Sequence, residues 1–208
     1  MPEPLTTHTG VAAPLLRDNI DTDAIIPSRE MKTTGKTGLA EGLFAGWRYL
    51  APGTRDPDPS FVLNQPAYAG ATILLGGSNF GCGSSREHAV WALAEFGIRA
   101  VIATSFAPIF FGNCVRNGIC PAVLPPEAVA EIAAAAEAGS QVSLDVEAGT
   151  VSLADGRTWS FSLEAEARAM LTEGLDAIDL TLKLRDRIAA FHARDRAERP
   201  WIYLEEQA

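Results

Sequence analysis

The apolar positions change rhythm along the chain. Ala71 to Leu75 is a short, unbroken apolar run stopping at Gly76-Gly77, which predicts a buried strand. From Ser84 an apolar-rich helix is predicted, with Val90, Leu93 and Ala94 on one face. Ala100 to Ala103 reads as a second buried strand. Pro108 to Val115 predicts a short helix closed by the left-handed stop Asn117-Gly118. Ile119 to Leu124 is a third strand, and Pro125-Pro126 opens an alanine-rich helix over 128–138 containing Ile132. Strand and helix alternating in this way imply parallel pairing with right-handed crossovers.

Beyond residue 141 the period becomes two. Val142 to Val146, Val151 to Leu153 and Thr158 to Leu163 alternate apolar and polar positions, separated by Ala148-Gly149 and Asp155-Gly156. A small antiparallel meander is expected there. In the charged tail, Leu184, Ile188 and Phe191 have helical spacing, whereas 178–184 alternates with period two and stays ambiguous between strand and helix. The Pro-rich stretch 51–60 fits neither a long helix nor a central strand and reads as a surface connection. The pattern predicts an α/β fold: a mixed sheet flanked by helices, with a small antiparallel extension.

The chain has 208 residues, 47% hydrophobic and 21% charged, which suits one domain over 1–208 with a real core. Its 26 acidic residues exceed 17 basic ones, and the resulting charge of −9 argues against nucleic acid as a partner. No apolar run reaches membrane-spanning length, so no membrane partner is expected. The N-terminal MPEPLTTHTG lacks a basic start and an apolar core, and the expectation is a cytoplasmic protein whose first residues, His8 among them, are mobile. Cys82, Cys114 and Cys120 contain no C-x-x-C spacing. They read as small buried or loop thiols rather than cluster ligands.

Candidate chemistry concentrates in Gly76 to His88, GGSNFGCGSSREH, between a buried strand and a buried helix. Its glycines let the backbone turn sharply and approach a ligand. Ser84 is a plausible helix N-cap, and Glu87 three residues later completes the capping-box pattern. Free amides and the positive end of the helix dipole then face Ser84 and Ser85, and Arg86 adds a bidentate donor. Such turns also begin helices that bind nothing. Two serines and an arginine in succession behind four glycines favour an anion site.

Other constellations fail on spacing. G-x-G-x-x-G is not matched, Gly35-Lys36-Thr37 lacks the earlier P-loop glycine, and Arg86 stands where a G-x-S-x-G elbow needs its last glycine. His8, His88 and His192 are scattered with no zinc spacing. His88 is expected as a packing element.

The segment GGSNFGCGSSREHAVWAL resembles the signature of the swivelling small domain of the aconitase superfamily. NIDTDAIIP (19–27) and SFAPIFFGNCVRNG (105–118) resemble that family's other motifs, in the same order. Chain length and TGLAEGLFAGWRY (37–49) are similar to its free-standing small subunits, the isopropylmalate isomerase type. The resemblance implies a three-layer swivelling domain like the aconitase C-terminal domain. It also implies a hydro-lyase that removes and re-adds water on a small hydroxy-dicarboxylate, 2-isopropylmalate, by way of 2-isopropylmaleate. By the same resemblance no cofactor belongs to this chain, and a [4Fe–4S] cluster sits on a large iron–sulfur subunit, the expected partner. Carried over by position, Ser84 is the catalytic base, Ser85 and Arg86 hold a substrate carboxylate, and Arg17 is a further substrate-binding candidate. The loop 28–40, SREMKTTGKTGLA, would face the substrate's side group; an exposed flexible loop is the plainer alternative. Related diacids (methylmalate, dimethylmalate, homoaconitate) are rival substrates, and a non-catalytic anion-binding module is the rival of another class.

Overall fold

The computed structural model describes residues 2–32 and 35–203. The chain opens with β1 (Thr7–Gly10) and β2 (Ala12–Leu15). A long segment with short helices α1 (Thr22–Ile25) and α2 (Ala45–Arg48) leads to β3 (Ile73–Gly76). Then α3 (Glu87–Phe96), β4 (Ala100–Ala103), α4 (Pro108–Arg116), β5 (Cys120–Val123) and α5 (Pro126–Glu137) alternate. Strands β6 (Val142–Asp145), β7 (Thr150–Leu153) and β8 (Thr158–Ser160) follow, and helices α6 (Ala165–Glu173), α7 (Ala177–Leu182) and α8 (Arg185–Glu198) complete the tail.

Parallel and antiparallel pairing segregate into two sheets rather than sharing one mixed sheet. One sheet is parallel with order β2-β3-β4-β5, and the other is antiparallel with order β1-β6-β7-β8. The chain passes between them at Val11. Gly10 is required there, since a Cβ would lie 2.0 Å from Thr72 Oγ1.

The parallel strands are buried on both faces, and alternate residues feed two cores. Ile73, Leu75, Ala100, Ile102 and Ala122 pack with Val129 and Ile132 of α5 and with Val142, Leu144, Val151 and Leu153 of the antiparallel sheet. Leu74, Val101 and Ala103 face the other way, onto Ala89, Val90 and Leu93 of α3, Phe110 of α4, and Ile25, Ile26 and Phe44 of the long segment. The parallel sheet is thus the middle of three layers.

The expected order of strands and helices from 71 to 160 is present; three details differ from expectation, and one ambiguity is resolved. The N-terminus is not mobile: β1 pairs with β6, Thr7 opposite Asp145, and the His8 ring meets Thr72 Oγ1 at 2.7 Å. Helix α3 starts at Glu87, not Ser84, and has no side-chain cap. Its buried stripe is Ala89, Val90, Ala92 and Leu93, which leaves Ala94 exposed. The ambiguous 178–184 stretch is helical as far as Leu182, because Asp176 caps α7 in a capping box with Asp179.

Candidate functional site

Three loops leave the C-terminal ends of β2, β3 and β4, the edge where open α/β sheets bind ligands. Backbone hydrogen bonds sew them together. Along one side, Gly77 N–H donates to Arg17 O (3.1 Å), Asn19 N–H to Ser78 O (2.8 Å), Gly81 N–H to Ile20 O (2.7 Å) and Thr22 N–H to Cys82 O (2.8 Å). Along the other, Phe80 N–H donates to Ser105 O (3.0 Å) and Ala107 N–H to Phe80 O (2.9 Å). The three sequence motifs are therefore one structural unit. Asn19 and Asn79 both take left-handed backbone (φ 54° and 53°), and the Asn79 amide donates to Asn19 Oδ1 at 2.8 Å.

Sterics fix the central loop. Gly81 has φ 76°, and a Cβ there would fall 2.0 Å from the Phe110 ring. Phe110 is buried and meets Phe80 at 5.5 Å between ring centroids. Gly83, at φ 89°, then turns the chain so that Ser84, Ser85 and Arg86 emerge at the rim of a cavity of about 220 Å³. Thr22, Asn113 and the apolar run Ala107 to Phe110 complete its lining.

The capping box is absent because both partners are used elsewhere. The Ser84 carbonyl accepts from the Thr22 hydroxyl (2.9 Å) and from Arg86 N–H (2.7 Å), which holds Ser84 outside the helix. The Glu87 carboxylate accepts from the Asn117 amide at 2.9 Å instead of reaching back. Arg86, in extended backbone just before α3, forms an ion pair with Asp23, whose side chain is 53% exposed against 22% for Arg86. Asp23 thus aims the guanidinium while leaving room for a competing carboxylate. Nearby, the backbone N–H and then the hydroxyl of Ser78 hold the Asp18 carboxyl below its ordinary range.

Ser84, Ser85 and Arg86 share this cavity; Arg17 does not. Its guanidinium lies 4.6 Å over the Trp47 ring and lines a separate cavity of about 690 Å³ with Tyr68 and Asp58. The described part of the 28–40 loop is tied to α3 rather than to this rim. Glu95 accepts from the Gly38, Leu39 and Ala40 amides at 2.6, 2.5 and 2.8 Å. Residues 33 and 34 lie outside the described residues. His88 packs against Trp91, 4.7 Å between ring centres, as expected of a packing element.

Sequence reasoning missed Thr22, Asp23 and Ile109 as individual site residues. All three stand inside motifs already singled out, but their contacts span 62 or 63 positions, or depend on where α4 starts, and local patterns carry no such information.

Cys114 and Cys120 are buried free thiols, and Cys82 is half-buried. Burial, and then the neighbouring Cys120, pushes the Cys114 thiol well up, and burial raises Cys120 to about 12. Thiolate, the ligating form, is disfavoured at both. Among the described residues no His, Cys, Asp and Glu cluster is placed to hold a metal, and no helix is long and apolar enough to cross a membrane.

Residues 2–127 match the aconitase C-terminal domain, and residues 178–203 match the C-terminal domain of the 3-isopropylmalate dehydratase small subunit. A 3-isopropylmalate dehydratase small subunit from Cupriavidus necator is 63% identical over 206 residues, 98% of this chain and 99% of the relative. One from Rhodospirillum centenum is 52% identical over 201 residues, 96% of this chain and 98% of the relative. The crystal structure of a 3-isopropylmalate dehydratase from Methanocaldococcus jannaschii aligns with a TM-score of 0.65 at 30% identity, covering 89% of this chain and 99% of that one.

Proposed function

The chain belongs to the aconitase C-terminal-domain family, among the 3-isopropylmalate dehydratase small subunits, and from that premise we propose how its site works. It is the small subunit of a leucine-biosynthetic hydro-lyase that interconverts 2- and 3-isopropylmalate through 2-isopropylmaleate. In our reading, residues 1–208 act as one swivelling unit in the cytoplasm and meet a large iron–sulfur subunit across the exposed rim around Ser84.

Ser84 takes the proton from the carbon beside the one bearing the hydroxyl. The C–H electron pair becomes the new double bond, the hydroxyl departs with its bonding pair and is protonated to water, and Ser84 gives its proton back to solvent, so that one water is released overall; hydration from the other end reverses these events. A serine hydroxyl is a weak acid, so its oxyanion needs local stabilisation. The Arg86 guanidinium, two residues on and lining the same cavity, supplies part of that field. Ser85 and Arg86 receive a substrate carboxylate, which competes with the exposed Asp23 for the guanidinium. Arg17, over the Trp47 ring in the separate cavity, is the further substrate-binding candidate. The [4Fe–4S] cluster belongs to the large subunit in this scheme, and no step assigned to the present residues passes through it.

The observation that carries this reading is the convergence of three chain segments on one small cavity with Ser84, Ser85 and Arg86 at its rim. An anaerobic pull-down with this chain tagged tests it. Capture of an iron-bearing partner together with consumption of 2-isopropylmaleate is expected. Partner and iron with turnover of a different diacid would move the substrate, and no iron-bearing partner would return the site to a non-catalytic anion binder.

A further inference from the structure

The cavity at Ser84 has two chemical halves. One is polar: Ser84, Ser85, Arg86, Thr22 and Asn113. The other is an apolar wall made by Ala107, Pro108, Ile109 and Phe110 at the start of α4. Within that wall Ile109 differs from its neighbour. Phe110 is buried under Gly81, whereas Ile109 keeps 57% of its surface exposed, a large aliphatic side chain on an open cavity wall.

This wall is held rigidly against the polar half. Ala107 N–H donates to Phe80 O at 2.9 Å, Pro108 sets the first turn of α4, and the Phe110 ring fills the space that Gly81 leaves. The wall and the serines therefore cannot separate without breaking the packing between Phe80 and Phe110. A dicarboxylate with one carboxylate on Arg86 and its reacting carbon at Ser84 still has a second carboxylate and an alkyl group to place, and of these two only the alkyl group suits the apolar wall.

We propose that Ile109, backed by Ala107 and Pro108, is the specificity residue that receives the branched alkyl group of the substrate. The proposal rests on the functional reading above and assigns side-group selection to the α4 wall rather than to the 28–40 loop, whose described end lines another cavity with Trp91. Burying a branched alkyl group on an aliphatic wall gives about 10- to 200-fold discrimination per methylene.

The test uses the assembled two-subunit enzyme and compares hydration of 2-isopropylmaleate with that of 2-methylmaleate. Ile109→Ala is expected to lower the kcat/KM ratio of the two substrates by about tenfold or more, through a higher KM for isopropylmaleate, while Ile109→Leu restores most of it. Lys36→Ala, in the competing loop, is expected to leave the ratio unchanged. If Ile109 serves only to dock the two subunits, Ile109→Ala lowers both substrates equally, and the proposal is overturned. It is also overturned if the ratio moves with Lys36→Ala and not with Ile109→Ala. A wild-type complex that turns over neither maleate would overturn the functional reading itself, a result separable from both of these.

Discussion

The loops at the ends of β2, β3 and β4 and the C-terminal helix α8 are both exposed, yet they are held in opposite ways. The loops are tied by long-range backbone hydrogen bonds, two left-handed asparagines and glycines whose Cβ positions are occupied by Phe110, Phe80 and Asp18. Helix α8 buries only Asp195, which is fixed locally by Arg199 (2.8 Å) and Tyr203 (2.7 Å), and it leaves Phe191 exposed, as is Leu184 just before it. One region has its shape imposed by the rest of the fold; the other owes its shape to its own sequence. The first is built to aim side chains.

The sharpest way to break this contrast is to fill Gly81. Gly81→Val places a branched side chain on the Phe110 ring at a left-handed residue. A loss of about 3 kcal/mol or more is expected, read as a large drop in thermal midpoint with loss of the site. Phe110→Ala, which empties the same contact, is expected to cost about 3–5 kcal/mol. If either variant melts like the wild type, the loops are not held as described.

Arg86→Lys probes function without touching the core. Lysine lacks the planar fork, so kcat/KM is expected to fall by about 100-fold while the midpoint hardly moves. Asp23→Asn should have the smaller effect of the two, because Asp23 only orients the guanidinium.

A milder expectation concerns pH. Burial of the His8 ring, and then Arg99, lowers its pKa below 6.5. A base whose folded-state pKa is depressed gives stability that is present above the unfolded value and lost as pH falls through it toward the folded one. The midpoint should therefore decline as pH falls through about 6.5, the ordinary histidine value. His8→Gln should flatten that slope. Glu30, held low chiefly by its bond to Arg55, adds a loss of the same sign at more acid pH. The smallest effect belongs to the tail: a chain ending after Leu184 should melt within about 2 °C of the full chain.

How much of this was legible in the sequence follows from the same contrast. Strand 100–103 and the helices opened by Pro108 and Pro126 were readable because buried runs and helix-start residues are local signals. The site segment was readable as an anion loop from its glycines, serines and arginine. Its capping was not, because Thr22 and Asn117 take up the Ser84 carbonyl and the Glu87 carboxylate from 62 and 30 positions away. Strands β1 and β2 were missed for a related reason. They are four residues each, Pro14 sits in the second, and β1 is defined by a partner more than 130 positions along the chain.

The most direct test of the central claim is turnover of the anaerobically assembled complex carrying Ser84→Ala, measured against the wild type at equal occupancy of both subunits. Ser84 is exposed and its backbone carbonyl makes the tethering bonds, so the variant should fold and assemble normally. Our account predicts that hydration of 2-isopropylmaleate falls by at least about 1,000-fold in kcat, as for loss of a group acting directly on the reacting atoms. A Ser84→Ala complex that keeps wild-type turnover would contradict it.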